Sequence, residues 1–359
     1  MLDQKIRVAV LFGGQSGEHD VSVRSAAGIL TSLDRSRYDI MPVRINHDGV
    51  WTTAPLPELG TIDAVLDWQH NHFLDAGDTT PAASILATLH ELSRCDVVFP
   101  VLHGPFGEDG KLQALLDALG IPFVGNGVAA SALSMDKEYT KKIAAGIGLE
   151  VSDSVVLRRG EVDVAPVDRE RLGLPVFVKP ARDGSSIGVS RVDDWAELPA
   201  AVETARKSDE KVLVEAAVAG REIDLGVLEH PDGELEVSPP LEIRLADSRS
   251  FFDYTAKYAD SATVLEVPAT VDPATGAGLA EDAVRLFRAL DCSGLLRIDF
   301  FLRPDGRRVV NEVNTLPGFT SASQYPRMWQ AAGLSYSDLL DELIATARSR
   351  AAQTSTAHR

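Results

Sequence analysis

Two short runs in the last third of this 359-residue chain concentrate groups that can do chemistry: Arg297-Ile298-Asp299 and Asn311-Glu312-Val313-Asn314. Alternate residues of an extended strand share a face, so Arg297 stands with Asp299 and Glu312 with Asn314. Pro304-Asp305-Gly306 between the runs is a turn signal, and a hairpin there lets Asp299 and Glu312 converge. Two carboxylates and an amide oxygen are hard donors suited to Mg²⁺ shared with substrate phosphates. The alternative is a solvated hairpin face, which usually carries more Lys or Thr and fewer convergent acids. Arg297 reads either as an ion-pair partner of these acids or as a cation for a developing oxyanion.

A second group of residues has the chemistry of a phosphate site. Residues 184–189 (GSSIGV) are small enough for backbone N–H groups to approach phosphoryl oxygens, and their hydroxyls add donors. A plain turn between strands is the alternative. Lys179 ends an apolar run just before this loop, so both can meet one phosphate. A P-loop is excluded, because Gly110-Lys111 is followed by Leu112. Gly125-Asn126-Gly127-Val128-Ala129-Ala130 fits a dinucleotide turn, but a tight strand-to-helix turn needs glycine anyway. The 103–110 loop (HGPFGEDG) puts His103 at a strand end and acids where a helix begins. His103 suits a buried hydrogen-bonded role as well as a ligand contact, and the acids suit the helix N-terminus. Glu18-His19 follows Gly13-Gly14, where the acid can bind an ammonium group or cap the next helix.

The elements that must position these groups follow from periodicity. Strands are expected at 7–12, 40–45, 96–102 and 121–124, with helices from about 22 to 33, from about 109 to 119 and after 127. Strand-helix alternation of this kind gives a parallel sheet, and ligands gather beyond the carboxyl ends of its strands. Met135 to Gly146 reads as a helix, and its Lys137, Lys141 and Lys142 read as a solvated face. Strands at 175–179, 211–215 and 222–228 around a helix at 194–207 make a small α+β unit. A helix at 273–290, strands at 294–302 and 307–314, and a helix at 336–348 follow. Residues after about 351 read as a frayed polar tail.

Composition sets outer bounds. The length allows two or three domains. The formal charge is −18, which argues against nucleic acid or an anionic membrane as main partner. Cys95 and Cys292 are the whole cysteine complement, so no disulfide framework is available. The sequence has no 18-residue apolar run and no signal-peptide pattern at its start, so a cytoplasmic protein is expected.

Taken in order, these segments resemble the D-alanine–D-alanine ligase family of the ATP-grasp superfamily. The resemblance is carried by 13–22 (GGQSGEHDVS), the 103–110 loop, Met135-Asp136-Lys137, Val178-Lys179-Pro180, 184–189, 252–258 (FDYTAKY), Arg297-Ile298-Asp299, and 311–318 (NEVNTLPG). It implies an N-terminal parallel-sheet α/β domain (1–134), a central ATP-grasp α+β subdomain (135–222), a C-terminal ATP-grasp subdomain (223–350) and the tail (351–359). It implies ligation of two D-alanines with ATP through a D-alanyl phosphate, for peptidoglycan precursors. A relative using D-lactate or D-serine as acceptor is the alternative.

Lys137, Lys179 and Lys257 would meet ATP phosphates with the Ser186 loop. Glu215, Ala216 and the backbone through Val218 would bind adenine, and Glu222 the ribose. The Ala216-Ala217 pair departs from the family's usual Lys and bulky residue, which removes side-chain stacking there. Asp299, Glu312 and Asn314 would hold two Mg²⁺, with Mn²⁺ as a substitute. Glu18 would take the first ammonium group, linked to Ser185 and Tyr258, and His103 would lie near the reacting carboxyl. Arg297 and the Gly318 N–H would form the oxyanion hole, and Ser323 would hold the second carboxylate. The 247–263 segment would be a lid. Relatives imply a homodimer.

Overall fold

The computed structural model describes residues 5–73, 79–245 and 263–357. The expected lid therefore lies outside the described residues up to residue 262, and Lys257 and Tyr258 lie with it.

The N-terminal sheet contains β1 (Ile6–Gly13), β2 (Tyr38–Ile45), β3 (Trp51–Thr53) and β4 (Val97–Pro100), ordered β3-β2-β1-β4. β1 runs parallel to β2 and β4, and short β3 closes one edge antiparallel. The unbroken apolar run from Val8 to Phe12 is wholly buried, as a central strand covered on both faces requires. The 121–124 run does not form the expected strand. It makes a single parallel bridge, Val98 to Phe123, because Pro122 offers the ladder no N–H and Gly125 turns the chain away. The carboxyl ends of β1 and β4 deliver the loops bearing Glu18 and His103 to the same rim.

The smaller of the two remaining sheets holds β6 (Ser154–Leu157), β7 (Val176–Pro180), β8 (Ser190–Val192) and β9 (Val212–Ala216), ordered β6-β9-β7-β8 and antiparallel. The Leu198–Ala205 helix covers it with Leu198, Val202 and Ala205. The larger sheet takes β5 (Glu150–Val151), β10 (Arg221–Glu229), β11 (Leu235–Val237), β12 (Leu241–Leu245), β13 (Thr263–Glu266), β14 (Leu295–Leu302) and β15 (Arg308–Asn314). Its order is β13-β12-β10-β14-β15-β5, with β11 also paired to β10.

Two junctions differ from expectation. The Val128–Met135 and Lys137–Gly146 helices pack on the larger sheet, putting Ala130 and Ala144 into its core. Junctions at 134/135 and 222/223 thus fall inside a helix and inside β10, and the smaller sheet itself runs from Ser154 to Ala216. The last helix, Tyr336–Ala357, continues through the segment read as a tail, since Ala351, Ala352 and Gln353 contain no helix breaker. Its Leu339, Leu340, Leu343 and Ile344 share one core with Val8, Val10 and Phe99 of the N-terminal sheet. Among the described residues, no helix is long and apolar enough to cross a membrane.

The Gly125-Asn126-Gly127 turn is filled by protein rather than shaped for a dinucleotide. The Asn126 amide donates to the carbonyls of Leu295 (2.7 Å) and Thr315 (3.0 Å), and its oxygen accepts from the Ser293 N–H at 2.9 Å. One buried side chain thus satisfies three main-chain groups of the C-terminal half. Asn126→Ala leaves them without these partners and is expected to cost about 2–4 kcal/mol. A guanidinium unfolding series against the parent protein checks this, and an unchanged midpoint contradicts it.

Candidate active site

The hairpin forms as the turn signal requires. In β14 and β15 Asp299 lies opposite Glu312 and Arg297 opposite Asn314, with a register shift between Asp299 and Phe300. β10 on the other side places Asp224 opposite Asp299. Arg297 is only 8 % exposed, Asp299 3 % and Asp224 0 %. Arg297 makes a bidentate bond to Asp299 (2.7 and 2.8 Å), reaches Gln324 Oε1 at 2.8 Å and stands 3.8 Å from Asp224. Burial opposes its charge, but Asp299, Asp224 and Glu312 outweigh it, so this guanidinium is held more firmly protonated than an ordinary one. The Asn314 amide donates to Asp299 at 3.1 Å.

The phosphate-type residues come together around Glu312 and Glu215. Lys137 donates to the Asp183 carbonyl at 2.7 Å and lies 3.6 Å from Glu312. The 184–189 loop is shaped by two consecutive serines, Ser185 and Ser186, in the left-handed region (φ 50° and 58°). A non-glycine backbone held there stores strain, as loops at functional sites often do. Lys179 does not stand alone at its strand end. It is buried and paired with Glu215 at 2.9 Å. Lys141, read as part of a solvated face, is also buried. It donates to Ser152 at 2.7 Å and lies 3.3 Å from Glu215. Burial lowers the Lys141 ammonium to about 8. Burial also opposes the Glu215 charge, but Lys141 and Lys179 pull its carboxyl down to about 2. Asp136 and Glu138 of the same region hold the buried Lys211. The N–H groups of Ala216 and Ala217 already donate to Asp153 (2.9 Å) and Pro175 (3.1 Å). Glu222, near the start of β10, lies opposite Phe301 and Ile243.

Glu18 sits at the N-cap of the His19–Ser32 helix, but its carboxyl caps nothing. It accepts instead from the Ser185 hydroxyl, which joins the first loop to the 184–189 loop. The carboxylate is approached by bare backbone on two sides. A Cβ on Gly104 would come within 2.9 Å of it, and one on Gly184 within 2.8 Å. His103 is buried, with Nδ1 2.9 Å from the Leu316 carbonyl, so that nitrogen carries the proton in the neutral ring. Burial pushes its pKa down, against the pull of Glu18. Ser323 accepts from the Thr320 N–H at 3.1 Å, and a Cβ on Gly318 would lie 3.2 Å from its hydroxyl, so those two positions are neighbours.

Three residues escaped sequence reasoning. Glu108 does not serve the helix that starts at Lys111. Its two oxygens accept from the Gly104 N–H (2.7 Å) and the Leu316 N–H (3.0 Å). Burial, with the Glu18 charge beside it, pushes its carboxyl up to about 8. Asp224 could have been noticed as an acid inside an otherwise apolar strand. Gln324 carries no such signal. Glu108, Lys137, Asp183, Gly184, Glu312 and Asn314 line one cleft.

The chain matches the family model described as D-ala D-ala ligase N-terminus over residues 7–126 and the one described as D-ala D-ala ligase C-terminus over 143–345. A D-alanine–D-alanine ligase of Mycobacterium sp. (strain JLS) is 51% identical, covering 97% of this chain and 98% of its own. Among solved structures, a D-Ala:D-Ser ligase (VanG) from Enterococcus faecalis superposes with a TM-score of 0.80 at 37% identity, covering 96% and 100%. The D-alanine–D-alanine ligase of Bacillus anthracis complexed with ATP gives 0.75 at 29%, covering 97% and 99%.

The raised pKa of Glu108 fixes a pH dependence. A carboxyl whose folded pKa lies above its unfolded value favours the fold when protonated, and this contribution is lost as pH rises from about 4.5 towards 8. Melting temperatures of wild type and Glu108→Gln across that window are expected to show a shallower decline in the variant. Parallel curves contradict the assignment.

Proposed function

Because the chain belongs to the D-alanine–D-alanine ligase family, we propose that it joins two D-alanines into D-alanyl-D-alanine at the expense of ATP, for peptidoglycan precursors. One observation carries the reading. A carboxylate bridged to a phosphate-type loop (Glu18 to Ser185) and a buried Arg297 paired with Asp299 stand next to Gly184 and Asn314, which line one cleft together with Lys137 and Glu312.

A carboxylate is a poor acyl donor because its leaving group would be oxide. Attack of the first D-alanine's carboxylate oxygen on the γ-phosphorus of ATP releases ADP and gives D-alanyl phosphate, whose leaving group is phosphate. The amine of the second D-alanine then attacks the carbonyl carbon and loses its proton. The tetrahedral oxyanion collapses, phosphate leaves, and the peptide bond remains.

In this reading Glu18, held by Ser185, takes the first ammonium group, and His103 stands by the reacting carboxyl. Arg297 and the Gly318 N–H face the oxyanion, and Ser323 takes the second carboxylate. Lys137, Lys179, Lys257 and the Ser186 loop serve the phosphates. The adenine lies along Glu215, Ala216 and Val218 and the ribose at Glu222. The resemblance would add Tyr258, which lies outside the described residues, as a partner of Ser185, and a lid that would keep water from the acyl phosphate.

The donor set fits a divalent cation. Among the described residues no three His, Cys, Asp or Glu side chains converge as ligands, so no all-protein cage exists. Glu312 and Asn314 instead offer hard oxygens at the cleft wall, with Asp299 buried beside them on the adjacent strand, a donor set of the kind Mg²⁺ shares with substrate phosphates. These three would hold two Mg²⁺, or Mn²⁺ in their place, and when bound the ions neutralise charge on the transferring phosphoryl group. We place the enzyme in the cytoplasm as a homodimer. D-serine or D-lactate as acceptor is the weaker reading.

The direct test is product analysis. Phosphate release is expected to require ATP, Mg²⁺ and D-alanine together. A mixture of D-alanine, D-serine and D-lactate is expected to give D-alanyl-D-alanine as the main product by mass. A main product with another acceptor overturns the substrate assignment. Glu312→Gln is expected to lower kcat on the order of 10³-fold, since an ionised ligand worth several kcal/mol is lost. Near-wild-type turnover at ordinary Mg²⁺ contradicts the metal assignment. Lys179→Ala is expected to raise KM for ATP while leaving the D-alanine dependence close to wild type, and steady-state kinetics with each substrate varied measure the split.

A further inference from the structure

Glu215 is a buried carboxylate with two buried cations. Lys179 lies 2.9 Å from Oε2 and Lys141 3.3 Å from Oε1. Ser152 ties the second cation in place, accepting from Lys141 at 2.7 Å and donating to Glu215 Oε1 at 2.5 Å. One carboxylate needs one cation, so the cluster carries a surplus positive charge in a place water hardly reaches. The two lysines differ in what else holds them. Lys141 projects from the Lys137–Gly146 helix one turn after Lys137 and is anchored by Ser152, in the short link between β5 and β6. Lys179 ends β7, beside the 184–189 loop.

We propose that Lys141 is a positioning residue for ATP: it remains on Glu215 as the permanent counter-charge, so that Lys179 can leave Glu215 for a phosphate without stranding a buried carboxylate. The proposal rests on the reading of this cleft as an ATP site. Without Lys141, Glu215 competes with the nucleotide for Lys179, because a buried charge that loses its only partner is strongly disfavoured. Glu138 and Lys142, on the same helix, bond each other and leave Lys141 to Glu215. The relay also spans the joint between the two C-terminal sheets: its lysine comes from a helix on the larger sheet, and its carboxylate from β9 of the smaller.

The test is a double-mutant cycle read in nucleotide affinity. Calorimetric titration with ATP and Mg²⁺ compares wild type, Lys141→Met, Glu215→Gln and the double variant. Lys141→Met is expected to weaken ATP binding by about tenfold or more in the wild-type background and by less than about threefold when residue 215 is Gln. KM for ATP is expected to rise without a matching rise in KM for D-alanine. Ser152→Ala, a milder change that only loosens the relay, is expected to weaken ATP binding in the same direction and covers the case in which Lys141→Met does not fold. Equal losses in both backgrounds, or parallel losses for ATP and D-alanine, overturn this inference while leaving the ligase reading intact. An intact wild type that binds no ATP overturns that reading, and this inference with it.

Discussion

The backbone of Leu316 is held at both its N–H and its carbonyl by one N-terminal loop. His103 bonds its carbonyl and Glu108 accepts from its N–H. The rest of the site depends on that double contact, because its parts come from sheets that share no strand ladder. Glu18 and His103 ride on the rim of the N-terminal sheet, while Arg297, Asp299 and Glu312 belong to the larger C-terminal sheet. Capturing the N–H and the carbonyl of one residue, which lie in adjacent peptide groups, fixes position and orientation together, which a single hydrogen bond does not. Gly318 and Ser323 follow within a few residues of the captured peptide, so their placement against Glu18 is set by the same grip. Asn126 repeats the device a short way off, holding the carbonyls of Leu295 and Thr315 from the N-terminal side.

Around this joint, charge is arranged for position rather than for stability. Buried ion pairs contribute little net free energy once desolvation is counted, yet losing one partner is expensive. Arg297 between Asp299 and Asp224, Lys211 between Asp136 and Glu138, and Glu215 between Lys141 and Lys179 are each a charge with more than one partner. Such a group keeps its place when one partner is engaged elsewhere. A site that must accept a polyanion and handle an oxyanion in the same cleft needs that property, because each arriving charge draws on a local partner.

Much of this was legible in the sequence. β1, β7, β9, β14 and β15 announce themselves as apolar runs bounded by glycine, proline or charge, and the Pro304-Asp305-Gly306 turn fixes which residues of β14 and β15 face each other. Other features depend on distant parts of the chain and have no local signature. Lys141 reads like the solvated Lys142 beside it until Ser152 and Glu215 are brought to it. Glu108 reads as a helix-start acid because the peptide it serves lies 208 residues away. The N-terminal strand expected at 121–124 failed on one residue, Pro122, whose missing N–H outweighs its apolar neighbours. The expected junction at 134/135 rests on a change of composition, whereas packing places the helices on either side of that point on the larger sheet.

The shared core of β1 and the Tyr336–Ala357 helix bears on how such a chain is made. Synthesis delivers the N-terminal sheet first, and Leu339, Leu340, Leu343 and Ile344, which cover part of it, follow far later in the chain. Until then the His19–Ser32 and Ile62–His72 helices cover the nascent sheet only in part, and the apolar surface left open is of the kind that chaperones shield and that seeds aggregation. The core of the first sheet is therefore completed only when the Tyr336–Ala357 helix docks, a long-range contact that ties the two ends of the fold together.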